Sequence, residues 1–537
     1  MSGDLSGKVV VLGLDGATWD LLRPMAERGL MPNLARGLQS GRSGLLQSCL
    51  PPFSSPAWIS IATGKNPGSH GVFDFFEAGL PGERKLVSAK SAKGARLWEL
   101  ASAAGRIVNV MAVPVSWPPS EVNGTFTSGA FTPGESVDYT WPKELKAELK
   151  ALPGGFEADP YAAGLEGRAF AEQTHTVIPQ QEVATRYVLE RGDWDLLFTV
   201  IQAPDPLQHK FWNVLDETDP RYDAEKAKFD LPLVEKSYRL CDEVIGDRLD
   251  MADRGALVLI ISDHGFGRYE KSFFINRVLE DAGLLVRQRS AKSVAPKGLS
   301  TRRVIDTMRR LDVLGLESRL PTTFKEKLAL RIDSTLSVPI DMEQTKAYAA
   351  AASAESVFVA PGVPAGERDE VCRHAIEALK AARDPDTGEP IIEGAYRRED
   401  VYDGDQLERI PDILIDFGDR PYVASDRLAS SSLVEPLPAH GGGGRHRRYG
   451  IVLANGPGIK HGTIEGANIV DVAPTVLHAL GVAVPDDMDG HVLTELFSDG
   501  RAVQTTSAAE GQKAREVQYS DEEAKAIQES LKSIGYL

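Results

Sequence analysis

Lys8-Val-Val-Val-Leu-Gly-Leu-Asp15-Gly16 is an unbroken apolar run that ends in an acid and a glycine. A continuous apolar run of this length is typical of a parallel strand that is buried on both faces. The same signature recurs over 194–201 and 256–262, which lead to Asp205 and to the pair Asp263-His264. Ligands bind beyond the carboxyl ends of such strands, so we expect the three acidic strand ends to meet at one edge of a sheet.

Helical patterns alternate with these strand-like runs along the chain. Alternation of this kind predicts an α/β fold, a sandwich in which helices flank a mostly parallel central sheet. Two further strands are predicted at Ile107–Val113 and Tyr449–Ala454, and helices at Ala17–Arg28, Ser91–Ala104, Pro179–Glu190 and Leu231–Met251.

Changes in composition predict how the chain is divided. A basic, Ser-rich stretch followed by amphipathic helical sequence indicates an inserted cap or lid, and a region rich in Pro, Gly and acids indicates a smaller insertion. A polar stretch near the end leads to Ser520, which can cap a final helix. The predicted parts are a first core segment at 1–269 with an insertion at about 134–172, a cap at 270–345, a second core segment at 346–497, and a polar linker with a C-terminal helix at 498–537.

Charge and cysteine content exclude several classes of protein. The 537 residues carry a formal net charge of -17, which argues against a nucleic-acid scaffold because phosphate backbones are normally met by clustered Lys and Arg. The 3 cysteines lie far apart, so neither a disulfide framework nor a thiolate zinc site is indicated. Their isolation fits a reducing compartment.

The N-terminus also bears on the predicted compartment. Residues 1–7 are short and polar and leave no room for the charged and apolar regions of a signal peptide. Apolar runs stay well below the roughly 20 residues that a membrane-spanning helix needs. We therefore expect a cytoplasmic protein without a membrane span, and its oligomeric state stays open.

Ser54 follows the turn-forming Pro51-Pro-Phe and precedes Ser55, Pro56 and an apolar helical run. This pattern places Ser54 at a helix N-terminus, where free backbone N–H groups can hold a phosphate. An ordinary N-cap serine is the alternative interpretation, because serine is common at that position.

Three other clusters contain side chains that can bind a metal ion. Asp205 and His209 stand four residues apart just after a strand, a combination that suits zinc. Asp263 and His264 are adjacent at a strand end, with a glycine next to them that permits a sharp turn. The glycine-rich run 440–450 contains two more histidines, His440 and His446.

Taken together and in this order, the four clusters resemble the alkaline phosphatase superfamily, specifically its type I phosphodiesterase and nucleotide pyrophosphatase branch. The resemblance covers nearly the whole chain and includes Asp471–Gly481, which is similar to a structural helix of that superfamily. It implies an alkaline-phosphatase-like sandwich with inserted cap segments. It also implies a metal-dependent hydrolase that cleaves a small-molecule phosphate ester through a phospho-serine intermediate.

The resemblance also implies a role for each matching residue. Two divalent metals are expected, Zn²⁺ or alternatively Mn²⁺, with Ser54 between them as nucleophile and ligand. His446 matches the family histidine better than His440, because it stands four residues before the glycine that opens the next strand. The implied ligands of the first metal are Asp15, Asp263 and His264, and those of the second are Asp205, His209 and His446.

Departures from the family pattern leave the substrate open. Phe75 stands where nucleotide pyrophosphatases usually carry an asparagine, and Trp58 stands where sulfatases carry an arginine. A phosphomonoesterase or phosphomutase remains an alternative, as does a non-catalytic metal-binding scaffold. The residues predicted to contact substrate are Ser55 through its backbone N–H, Lys65, Phe75, His440 and Arg445.

Overall fold

The computed structural model describes residues 4–77, 85–161, 165, 167–288, 340–350, 355–428, 432–437, 443–498, 500–508 and 519–534. These residues form two units with separate apolar clusters, a larger α/β unit and a smaller lobe. The predicted α/β class is confirmed, with a mostly parallel central sheet between helices.

A nine-stranded sheet organises the larger unit, in the order β18-β2-β17-β7-β1-β6-β3-β4-β5. Strand β1 pairs in parallel with β6 on one side and β7 on the other, while β17 runs antiparallel to β7. These strands are β1 Val9–Leu14, β2 Arg42–Gln47, β3 Val108–Val113, β4 Gly124–Ser128, β5 Thr140–Trp141, β6 Leu196–Ile201, β7 Leu257–Ile261, β17 Tyr449–Asn455 and β18 Gly462–Ile464.

The central strands are apolar because helices cover both faces of the sheet. All six residues of β1 and all six of β6 are buried. Burial of such strands stabilises the fold by about 25 cal/mol for each Å² of apolar surface removed from water. The helices are α1 Trp19–Glu27, α2 Pro32–Ser40, α3 Ser54–Thr63, α4 Pro67–His70, α5 Leu97–Ala103, α6 Leu145–Lys150, α7 Gly167–Glu190, α8 Pro204–Leu215, α9 Ala224–Asp253, α10 Ile275–Asp281, α11 Arg368–Ala381, α12 Arg398–Val401, α13 Val472–Ala479 and α14 Asp521–Ile534.

The predicted C-terminal helix is present as α14. Ser520 accepts a hydrogen bond from the Glu523 amide and caps the helix. Ile527 and Leu531 are buried in the apolar cluster of the larger unit, and the helix packs against α8. The helix therefore packs on its own chain.

The smaller lobe, the described residues between 271 and 436 apart from the segment 402–410, which packs on the larger unit, is built on two short sheets. One has the order β10-β11-β13-β12 and the other β14-β9-β15. An antiparallel pair, β8 and β16, lies between this lobe and the larger unit. The strands are β8 Gly265–Arg268, β9 Lys271–Phe274, β10 Ala347–Tyr348, β11 Ser356–Val359, β12 Gly394–Arg397, β13 Ile413–Asp416, β14 Tyr422–Ser425, β15 Val434–Pro436 and β16 Gly444–Arg447. A separate two-stranded sheet is formed by β19 Val484–Pro485 and β20 Thr505–Thr506.

The predicted segments map onto these units as follows. Most of the predicted cap, 289–339, lies outside the described residues. The second core segment contributes to both units, up to residue 436 in the smaller lobe and from residue 449 in the nine-stranded sheet. The predicted insertion at about 134–172 supplies β5, which extends the sheet beside β4.

Candidate metal and nucleophile site

Three acidic side chains meet at the carboxyl ends of β1, β6 and β7. Asp15 follows β1, Asp205 lies in the first turn of α8 just beyond β6, and Asp263 follows β7. All three are almost fully buried. They meet because the strands are parallel and in register, Val9 lying opposite both Leu196 and Leu257.

Gly16 permits this close approach. Its φ of 65° lies in the left-handed region that favours glycine. A Cβ at this position would stand 3.1 Å from the Cβ of Asp205. The Gly16 amide donates to Asp263 Oδ1 at 3.1 Å and fixes the orientation of that carboxylate.

Ser54 opens α3 and faces the acidic group. Its Oγ lies 3.3 Å from Asp15 Oδ1 and 3.0 Å from His264 Nε2. All ten residues of α3 are buried, so the helix is enclosed on every side. One turn later, Trp58 donates from Nε1 to Asp15 Oδ2 at 3.1 Å.

Histidines from other elements complete the cluster. His446, on β16, places Nε2 at 3.1 Å from Asp205 Oδ2 and 2.9 Å from His209 Nε2. His209, one turn after Asp205 on α8, lies 3.6 Å from the same carboxylate oxygen. His264 Nε2 lies 3.2 Å from Asp263 Oδ2.

The tautomers of two histidines follow from their carbonyl contacts. His446 Nδ1 lies 2.8 Å from the Pro52 carbonyl and His264 Nδ1 lies 3.1 Å from the Gly265 carbonyl. A carbonyl can only accept, so each Nδ1 carries the proton. Each Nε2 then turns a lone pair toward the carboxylates, the orientation that a second hydrogen bond imposes on metal-binding histidines.

Burial determines the charge of these groups. Burial, and then the carboxylates of Asp263 and Asp205, raise the pKa of Asp15 well above its ordinary value. Burial also raises the pKa of Asp263. For His209 burial lowers the pKa to about 3, and it holds the pKa of His446 well below its ordinary value. The imidazoles of His209 and His446 are therefore neutral at neutral pH.

This set of donors fits divalent cations. Carboxylate oxygens and imidazole lone pairs that face one another at these distances repel unless a cation lies between them. Two groups have ligand atoms within 4.8 Å of one another, Asp15 with Asp263 and His264, and Asp205 with His264 and His446. The structure thus brings together Ser54 and all six predicted ligands.

The predicted substrate contacts are placed differently. Lys65 pairs with Asp487, Arg445 donates to Glu355 at 2.9 Å, and Phe75 packs edge-on against Phe131 in the apolar core. The Oγ of Ser55 is buried and has no hydrogen-bond partner among the described residues. His440 lies outside the described residues.

Two contacts at the site were missed by sequence reasoning. The Trp58 indole orients Asp15, and the Pro52 carbonyl orients His446. The spacing of Trp58, four residues after Ser54 on one helix, was an available signal, since residues four apart share a helix face. The Pro52 contact depends on tertiary structure and has no local signal.

Comparisons with known proteins identify the family of the chain. A sequence model of the type I phosphodiesterase / nucleotide pyrophosphatase family matches residues 9–443. No curated protein matches the chain at a significant level.

Among solved structures, the alkaline phosphatase PafA is 16% identical, with a TM-score of 0.50 over 92% of this chain and 100% of that chain. Phosphonoacetate hydrolase from Sinorhizobium meliloti 1021 is 16% identical, with a TM-score of 0.49 over 89% and 96%. Human ectonucleotide pyrophosphatase / phosphodiesterase 5 is 14% identical, with a TM-score of 0.43 over 89% and 95%. At these identities the likeness to PafA concerns the fold.

In the part of the chain that the structure describes, every helix is too short or too polar to cross a membrane.

Proposed function

The chain belongs to the type I phosphodiesterase / nucleotide pyrophosphatase family of phosphoric ester hydrolases, and we propose that it cleaves phosphodiesters in two steps through Ser54. The observation that carries this proposal is the position of Ser54. Its Oγ contacts Asp15 and His264, one residue from each of two strand ends, at the edge of the buried donor cluster.

The donor cluster would hold two divalent cations, most simply Zn²⁺, with Mn²⁺ as the alternative. Asp15, Ser54, Asp263 and His264 would hold one, and Asp205, His209 and His446 the other. Bound there, such cations lower the pKa of a coordinated hydroxyl or water and neutralise the charge on phosphoryl oxygens.

The chain's own groups provide the rest of the chemistry. In the first step Ser54 Oγ gives its proton to solvent and forms a bond to phosphorus, while the bond from phosphorus to the leaving alkoxide breaks and the alkoxide takes a proton from solvent. In the second step water attacks phosphorus, the bond to Oγ breaks, and Ser54 recovers its proton. The backbone N–H of Ser55, at the start of α3, would donate to a phosphoryl oxygen.

Two observations favour a diester over a monoester or a phosphomutase substrate. A monoester dianion needs more positive charge than a diester. Lys65 and Arg445, the cations predicted at the site, are engaged by Asp487 and Glu355. Arg287, the described start of the basic stretch, pairs with Glu280.

The test compares bis-p-nitrophenyl phosphate with p-nitrophenyl phosphate, and metal content is measured by mass spectrometry. Ser54→Ala is expected to lower diester turnover at least roughly a thousandfold while retaining metal. Asp263→Ala is expected to lose both activity and metal. Ser60→Ala is the matched control, because Ser60 is a buried serine on the same helix whose hydroxyl bonds His70 instead.

Several results would contradict the proposal. Activity that survives Ser54→Ala would exclude the serine as nucleophile. A faster reaction with the monoester would move the assignment to a phosphomonoesterase. Metal-rich protein without turnover of either ester would favour a binding scaffold.

The proposed compartment is the cytoplasm. This proposal rests on the three cysteines, Cys49, Cys241 and Cys372, which are free thiols and are all buried. Free thiols persist in reducing compartments.

A further inference from the structure

A short loop, residues 48–53, connects β2 to α3 and leads directly to Ser54. The loop is held by three contacts with distant parts of the chain. The Ser48 amide donates to the Arg448 carbonyl at 2.7 Å, and the Pro52 carbonyl accepts from His446 Nδ1 at 2.8 Å. The third contact, at Leu50, comes from Tyr402 in the segment between α12 and β13.

The hydroxyl of Tyr402 satisfies both backbone groups of Leu50. It accepts from the Leu50 amide at 2.6 Å and donates to the Leu50 carbonyl at 2.9 Å. Leu50 and Tyr402 are both buried. Buried backbone groups without a partner are strongly disfavoured, so this hydroxyl fixes the conformation of the loop at Leu50.

Tyr402 is itself held firmly. It lies in the connecting segment, residues 402–410, which packs against α4. The Gln406 amide donates to the Gly68 carbonyl at 2.8 Å, and Arg409 donates to the Ser91 carbonyl at 3.2 Å. A Cβ on Gly404 would stand only 2.3 Å from the Gly68 carbonyl oxygen, which shows how closely the two backbones approach.

We propose that Tyr402 is a positioning residue for the nucleophile, acting through the Leu50 backbone to align Ser54 Oγ with the metal ligands. This inference rests on the proposed role of Ser54. Small displacements of a reacting group reduce rates strongly even when substrate binding is retained. Among the described residues, the Tyr402 hydroxyl bonds the Leu50 backbone and none of the ligand carboxylates or imidazoles, so its loss should change the alignment of Ser54 and leave the metal in place.

The test is Tyr402→Phe, which keeps the ring and removes the hydroxyl. Tyr422→Phe is the matched control, because Tyr422 is also buried and its hydroxyl makes a comparable bond of 2.7 Å to Asp384 within the smaller lobe. We expect Tyr402→Phe to lower kcat for bis-p-nitrophenyl phosphate roughly tenfold, with KM and metal content within about twofold of wild type. Tyr422→Phe should leave all three near wild type.

Hydrogen exchange supplies a second measurement. Peptides that span residues 45–58 should exchange faster in Tyr402→Phe than in wild type or Tyr422→Phe. Equal kcat in the two variants would overturn the inference, and so would a kcat loss matched by loss of metal. Activity that persists in Ser54→Ala would instead overturn the proposed function.

Arg409→Ala covers the case in which Tyr402→Phe does not fold. Arg409 is partly exposed and holds the connecting segment from outside. Its loss should also lower kcat, by a smaller factor than we expect for Tyr402→Phe, with KM and metal content retained. An unchanged kcat in this variant would count against the inference.

Discussion

At the scale of single residues, the candidate site concentrates carboxylate oxygens and imidazole nitrogens, which accept hydrogen bonds or bind cations. Asp15, Asp205 and Asp263 turn carboxylate oxygens inward, and His264 and His446 turn Nε2 lone pairs toward them. The Nδ1 contacts to backbone carbonyls determine that orientation. A buried set of this kind is stable only with compensating positive charge, either protons or metal ions.

This competition between protons and metal predicts a pH dependence. The pKa values of Asp15 and Asp263 are raised, so the metal-free folded protein binds those protons more tightly than the unfolded chain does. Its stability therefore falls as pH rises above about 4. The lowered pKa of His209, about 3, acts oppositely, raising stability between that value and the ordinary histidine pKa of about 6.5.

We therefore expect chelation to be more destabilising at about pH 8 than at about pH 5, because bound metal replaces the displaced protons. A metal at a thousandfold excess over its Kd contributes about 4 kcal/mol to the free energy of unfolding. Thermal unfolding with and without EDTA at the two pH values measures the difference. An equal shift at both would show that the carboxylates do not hold metal.

Most of the residues at the site could be predicted from the sequence because Asp15, Asp205 and the pair Asp263-His264 follow apolar strands and His209 stands at helical spacing from Asp205. His446 was predicted through the family resemblance alone. The substrate contacts could not. Lys65 and Arg445 carry the right charge, but whether a cation faces a substrate or a neighbouring acid depends on tertiary contacts with Asp487 and Glu355. The role of Tyr402 could not be predicted for the same reason, because Tyr402 lies 352 residues from Leu50 along the chain and meets it only through tertiary structure.

At the scale of elements, packing between β1 and α3 aligns the nucleophile with its ligands. Gly13 of β1 leaves space for the Trp58 ring, and a Cβ at that position would lie 2.4 Å from Trp58 Cη2 and 2.9 Å from Val200 Cγ2. The same indole orients Asp15. This contact therefore links strand packing to the geometry of a predicted metal ligand.

Gly13→Ala is expected to destabilise the fold by about 1–3 kcal/mol, because overpacking a close core contact forces side chains to move. Displacement of Trp58 should also weaken metal binding by roughly tenfold or more. Urea unfolding and metal titration measure both effects. Gly192→Ala is the control, since an added Cβ there has no atom within 4 Å; equal behaviour of the two variants would contradict the argument.

The observed strands lie close to their predicted positions where the hydrophobic pattern was clear. Strand β1 lies within the apolar run from Lys8 to Gly16, and β3, β6 and β7 lie within two residues of their predicted bounds. Helix α7 begins at Gly167, twelve residues before the predicted start at Pro179. Proline usually marks a helix start because it lacks an N–H, but here packing of Phe170, Thr174 and Ile178 outweighs that local preference.

At the scale of the whole molecule, the site depends on both units. The strand that carries His446 is tied to the smaller lobe by Arg445, whose guanidinium bonds Glu355 and stacks on Phe417 at 4.8 Å. The α/β class and the parallel sheet could be predicted from alternating patterns. How the smaller lobe packs on the site could not, because the contacts join residues distant in sequence.

Glu355→Ala should therefore destabilise the protein by about 3 kcal/mol, because it leaves the buried Arg445 without its carboxylate. The matched control is Glu393→Ala, which breaks an exposed pair with Arg420 in the same lobe and should cost about 0–1 kcal/mol. Urea unfolding of both variants gives the comparison. Similar losses would mean that the buried pair does not stabilise the junction.

Double displacement through Ser54 can be tested by the stereochemical course of the reaction at phosphorus. A diester phosphorothioate of one configuration is hydrolysed in oxygen-18 water, and the configuration of the thiophosphate product is determined by phosphorus NMR. Two successive in-line displacements each invert the centre, so we expect net retention. Net inversion would show that water attacks the diester in a single step and would exclude the phospho-serine intermediate.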